Sequence, residues 1–143
     1  MIENNQMKLT FPSISQNESF ARSVISCFAL QLNPSLAEIS DIKTAVSEAV
    51  TNCIVHGYPD CVGNITIEAK IDKNVLHINI FDNGIGIGDV KKALEPFYTT
   101  KTDQERSGMG FTIMQSFMDK VTVISNLNEG TKIYMEKVIK ADG

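Results

Sequence analysis

The chain has no excess of basic residues: 13 Lys and Arg stand against 17 Asp and Glu, for a net charge of −4. That balance excludes a nucleic-acid binder relying on a basic patch, and an anchor to anionic membrane. No apolar run is long enough to span a bilayer. The first residues, Met1 to Gln6, are polar and do not form a signal segment. Cysteine is scarce, with only Cys27, Cys53 and Cys61, an odd number without metal-ligand spacing. Cys27 and Cys53 are expected on apolar helix faces as reduced, buried thiols, which places the protein in the cytoplasm. Repeats, low-complexity segments and linkers are also missing. What remains is 143 residues, 43% hydrophobic and 21% charged, which fits one globular domain over 1–143.

Residues 7–11 alternate weakly and read as an edge strand that Pro12 ends. Ser15 or Asn17 can cap a first helix reaching about Leu32, which Asn33-Pro34 stops. Ser35, with Glu38 three residues on, is a capping-box start for a second helix. That helix is expected to run to His56, with Gly57 ending it. Strands over 65–71 and 75–81 alternate cleanly, as half-buried antiparallel strands do. A glycine-rich loop over 83–88, a short helix over 89–94 and a polar loop over 95–107 follow. A third helix covers 110–118. The last strands, 121–125 and 131–138, meet at the hairpin turn Asn128-Glu129-Gly130. This order predicts an α+β fold, with helices on one face of a mixed, mostly antiparallel sheet.

The chemistry-bearing residues fall at four places. On the second helix Ile39, Ile42, Val46, Ala49 and Cys53 share one face. Glu48 and Asn52, one turn apart, lie beside that stripe. An acid can take a proton and an amide oxygen can ligate a hard cation. Taken alone, the pair also reads as a solvated Glu and an interhelical hydrogen bond. On the next strand pair, Asp82 follows Leu76, Ile78 and Ile80 in the period of two, so a carboxylate ends an apolar row and looks inward. It either caps the following turn or accepts an exocyclic amine at the bottom of a pocket. Gly84 and Gly86 would let backbone approach a flat ring. Thr131 shares a face with Ile133 and Met135, and reads either as a backbone-satisfied Thr or as a partner of Asp82. Finally, Ser107-Gly108-Met109-Gly110 opens a helix, where free N–H groups and the dipole favour an anion. Arg106 adds charge. Thr99, Thr100 and Lys101 precede it as a lid, or as plain surface loop.

The order of these signals is more specific than any one of them. Glu-x-x-x-Asn on a helix, Asp-x-Gly-x-Gly after a strand, Gly-x-Gly before a helix and Gly-Thr entering a strand resemble the Bergerat-fold ATPases, which include gyrase, histidine kinases and mismatch-repair ATPases. Within that group, residues 17–22, 46–52 and 105–114 are most similar to the bacterial anti-sigma serine kinases of the sporulation type. The likeness runs from about Phe11 to Val138. It implies ATP and Mg2+ as cofactors, with Asn52 on the metal and Glu48 as the general base toward a partner's serine. It further implies that Asp82 accepts from the adenine amino group, helped by Gly86 and Thr131, with Gly84 also in the nucleotide site. Ser107, Gly108, Met109 and Gly110, with Arg106, bind phosphates under the Thr99, Thr100 and Lys101 lid. The implied partners are sigma factor F and an anti-anti-sigma protein substrate, both met through the helix that carries Arg22, and a second copy of the chain. Gly88 departs from relatives that carry Pro or Glu there. Other readings are a stress-response anti-sigma-B kinase, a detached histidine-kinase ATPase domain and an ATP-binding module without kinase activity. Tyr98 before the lid is shared with histidine kinases.

Overall fold

The computed structural model describes residues 4–85, 110–126 and 128–140. Strand β1 (Asn4–Pro12) comes first, then α1 (Gln16–Ala29) and α2 (Leu36–Asn52). The hairpin β2 (Asn64–Asp72) and β3 (Val75–Asp82) follows, then α3 (Gly110–Phe117) and the pair β4 (Lys120–Asn126) and β5 (Gly130–Val138). The five strands lie in the order β1-β2-β3-β5-β4, and all four pairings are antiparallel. The α+β expectation therefore holds. The expected helix over 89–94 and loop over 95–107 lie outside the described residues.

One face of the sheet is apolar because alternate residues are Ile, Leu or Met. Ile67, Ile80 and Ile133 stand in register across three strands, as do Ala69, Ile78 and Met135. All six are buried. Ile25 and Ala29 of α1, Ile42, Val46, Ala49 and Val50 of α2 and Met114 of α3 pack with them in one core. Burying an Ile, Leu or Met side chain contributes about 1.5–3 kcal/mol, so this layer supplies most of the drive for the helices to lie on the sheet. The end of that layer is polar: in register beside Ile65 come Asp82 and Thr131, both buried.

The helix ends differ from expectation in instructive ways. Ser35 caps α2 as predicted. Its hydroxyl accepts from Glu38 N–H at 3.1 Å, and Glu38 Oε1 accepts from Ser35 N–H at 2.9 Å. Glu38 Oε2 also accepts the Lys140 N–H at 2.8 Å, tying the end of the sheet to the start of α2. Ser15 stands at the N-cap of α1 but makes no side-chain cap bond; Asn17 Nδ2 instead donates to the Pro12 carbonyl at 3.0 Å. Helix α1 tightens into a 3-10 turn over Leu30–Leu32 and stops at left-handed Asn33, φ 57°. The α-helical part of α2 ends at Asn52, short of His56, and a π turn over Cys53–Gly57 carries the chain on. Cys53 is buried, but Cys27 is exposed. It lies about 200° around the helix from Ile25, away from the buried stripe Ala21, Ile25 and Phe28.

Candidate functional site

Of the predicted residues that are described, Asp82 and Thr131 lie at the polar end of the sheet, beside the π turn that follows α2. Glu48 and Asn52 lie on the last turns of α2 and are half-buried. A Cβ built on Gly110 would stand 3.5 Å from Glu48 Oε1. The Glu48 carboxylate therefore rests against the first described residue of α3.

Asp82 ends β3 and is 3% exposed. Its Oδ1 accepts the Gly84 N–H at 2.8 Å. Its Oδ2 is buried and has no N or O partner. Burial pushes the carboxyl above its ordinary range; the Gly84 N–H, the Cys53 thiol and the Thr131 N–H pull the other way without cancelling it. A thiol is only a soft donor, so Oδ2 keeps most of its capacity to accept. The same contact with Asp82, added to complete burial, raises the Cys53 thiol well above its usual value.

Thr131 pairs in register with Asp82 on one side and Ser125 on the other. The Ser125 hydroxyl donates to the Gly130 carbonyl at 2.9 Å and lies 2.8 Å from Thr131 Oγ1. With the Ser125 proton so engaged, Thr131 donates to Ser125, and its own oxygen is left as an acceptor. Gly130, at φ 92°, sits against the Asp82 carbonyl, where no side chain fits.

Gly84 is packed tightly within the protein. Its Cα packs against the Gly57 carbonyl so closely that a Cβ has no room, so the nearest backbone it admits is the protein's own. The Gly57 carbonyl accepts from Ile85 N–H at 3.0 Å. Tyr58 reinforces this junction: its hydroxyl accepts the Asn83 N–H and donates to the Asn64 carbonyl, each at 2.8 Å. Reading by periodicity treated Gly57 only as a helix stop and Cys53 only as core. Both touch Asp82, and the sequence signal available was the glycine placed one turn beyond Asn52.

Arg22 is half-buried on α1, with its Nε 3.7 Å from Glu18 Oε2. A groove of about 470 Å³ lies along α2, lined by Leu36, Ile39, Lys43 and Glu48 and, from α1, Arg22. Arg22 and Glu48 thus face one surface. Gly86, Thr99, Thr100, Lys101, Arg106, Ser107, Gly108 and Met109 lie outside the described residues.

Residues 12–137 match the family model of the histidine kinase-like ATPase domain. The anti-sigma F factor of Thermoanaerobacter sp. strain X514 is 55% identical over 138 residues, which cover 96% of both chains. That of Clostridium acetobutylicum is 54% identical, over 96% of this chain and 95% of its own. The chain belongs to the anti-sigma F factor family of histidine kinase-like ATPases. Solved structures share the fold at far lower identity. The RsbU and RsbW domains of a Mycobacterium tuberculosis protein superpose with a TM-score of 0.68 at 15% identity, over 94% of this chain and 32% of that one. The catalytic domain of the histidine kinase ThkA, in a nucleotide-free form, gives 0.57 at 16%, over 94% of this chain and 97% of its own. Among the described residues no helix is long and apolar enough to cross a membrane.

Proposed function

We propose that this family member is a serine kinase and anti-sigma factor. It binds and inhibits sigma factor F of sporulation, and it phosphorylates an anti-anti-sigma protein on serine with ATP. The reading rests above all on the Glu48 carboxylate, which lies against Gly110 at the start of α3 and also lines the Arg22 groove. A base so placed borders both the helix assigned to phosphates and a surface open to a protein.

The roles follow from the chemistry of each group. Asp82 Oδ2, buried without a partner, accepts the amino group of adenine; a donor brought by the ligand removes the cost of that orphan. Thr131 Oγ1 supplies a second acceptor beside it. Asn52 offers its amide oxygen to Mg2+, and a single protein oxygen suits a cation that keeps waters and phosphate oxygens around it. Bound there, Mg2+ would neutralise charge on the phosphates. Glu48 takes the proton from the partner's serine hydroxyl. Residues 99–101 and 106–110 are assigned to phosphates by resemblance. Arg22 meets the protein partners across the groove. The chain pairs with a second copy through β1, an edge strand, and α1, and it works in the cytoplasm.

The test is incubation with Mg2+, labelled ATP and an anti-anti-sigma protein, with mapping of the modified residue. Phosphoserine is expected. Glu48→Gln should keep nucleotide binding and lower transfer by ~10²-fold or more. Phosphohistidine, an absence of transfer, or an unimpaired Glu48→Gln would refute the reading.

A further inference from the structure

Gly57 packs closely against the Asp82 carboxylate. A Cβ built on it would lie 2.8 Å from Oδ2, 2.9 Å from Cγ and 3.1 Å from Oδ1. The carboxylate has little room to retreat. Its Oδ1 is held by the Gly84 N–H, its backbone is fixed in the sheet between Ile65 and Thr131, and Gly130 backs its carbonyl. Gly57 is itself fastened, because its carbonyl accepts from Ile85 N–H and faces the Cα of Gly84. The π turn delivers Gly57 to this spot. One inserted residue turns whatever follows by about 100° about the helix axis, and such turns concentrate at functional sites. The same turn begins at Cys53, whose buried thiol touches the same carboxylate.

We propose that Gly57 is a positioning residue for base selectivity, and that the π turn Cys53–Gly57 sets which way Asp82 Oδ2 faces the ligand. The proposal rests on the nucleotide reading above and adds the element that orients its acceptor. A methyl group at 57 moves the carboxylate, so the amino-group contact is lost while contacts to ribose and phosphates stay.

The experiment compares Kd for ATP with Kd for inosine triphosphate, which carries a carbonyl in place of the amine. Losing a hydrogen bond to a charged acceptor predicts wild-type discrimination of at least ~10-fold. In Gly57→Ala discrimination should fall below ~3-fold, with affinity for inosine triphosphate within ~2-fold of wild type. In an Asp82→Asn background the Gly57→Ala change should add no further loss of discrimination, because both act on one contact. If Gly57→Ala weakens both nucleotides equally, or retains full discrimination, Gly57 is not a positioning residue. Should that variant fail to fold, Cys53→Ala perturbs the carboxylate from the other end of the turn. It is expected to lower discrimination severalfold, and unchanged discrimination there overturns the proposal. A wild type that does not discriminate would instead remove Asp82 from base recognition, a separate failure.

Discussion

Asp82→Asn should weaken nucleotide binding while leaving the empty protein at least as stable. The Gly84 N–H needs an oxygen where Oδ1 now stands, so the amide must orient with Nδ2 in the Oδ2 position. A donor then faces the amino group of the base. The lost bond is to a charged acceptor, worth about 1.5–3 kcal/mol, or roughly 10- to 150-fold in Kd. The stability effect has the opposite sign. Burial holds the folded carboxyl above its unfolded value near 3.8. The folded protein therefore keeps the proton to higher pH than the unfolded chain does. The stability of the protonated form is fully present below about 3.8 and is lost as pH rises through the folded value. At neutral pH the ionised, unpartnered oxygen is a cost that the neutral amide reduces. Calorimetric titration with ATP and thermal melts between pH 3.5 and 8 read the two halves separately. Wild type and variant melts should differ at neutral pH in favour of Asn and converge toward the acid end. A Kd within twofold of wild type, or a variant melting well below wild type at pH 7, would refute the reasoning.

Two further perturbations probe the frame around the site. Ser35→Ala removes the acceptor for the Glu38 N–H, and should lower stability by about 0.5–2 kcal/mol in urea unfolding without changing ATP affinity. Glu38→Gln weakens the acceptor held by Lys140 and Ser35 N–H groups, which keep the carboxyl below its ordinary 4.5. The wild-type advantage should be present above 4.5 and should vanish as pH falls through the lowered folded value, as read from urea midpoints across that range.

How much of the site was legible depends on the kind of regularity each residue obeys. Asp82 and Thr131 sit in strict alternation behind Ile80 and before Ile133, so a period of two was enough to turn both inward. Ser35 and Glu38 are a local motif that closes on itself, and it formed as read. The π turn left no such trace. Cys53, Ile54, Val55 and His56 continue a helical pattern, and only the approach of Gly57 to Asp82, 25 positions further along the chain, gives the extra residue its reason. Cys27 shows a different limit. Ile25, Phe28 and Ala29 around it are apolar, but with α1 packed through Ala21, Ile25 and Phe28 the angle around the helix decides exposure, and composition does not. The roles proposed for residues 99–101 and 106–110 rest on sequence order and resemblance, since of these only Gly110 is among the described residues.

The edge position of β1 also has a consequence for how the chain is made. Its partners are distant: Pro12 pairs with Asn64 and Asn4 with Asp72, so the strand must wait for 52 to 68 later residues. At about 5–20 residues per second, translation leaves β1 without its neighbour for roughly 3–14 s. During that time α1 and α2 are already complete and can pack on each other. The last act of this half of the fold is then the closing of a long loop, a step whose entropy grows only slowly with length. A stall between Asn52 and Asn64 would leave an unpaired strand beside a finished helical pair, and the birth of the protein is most exposed to misassembly there.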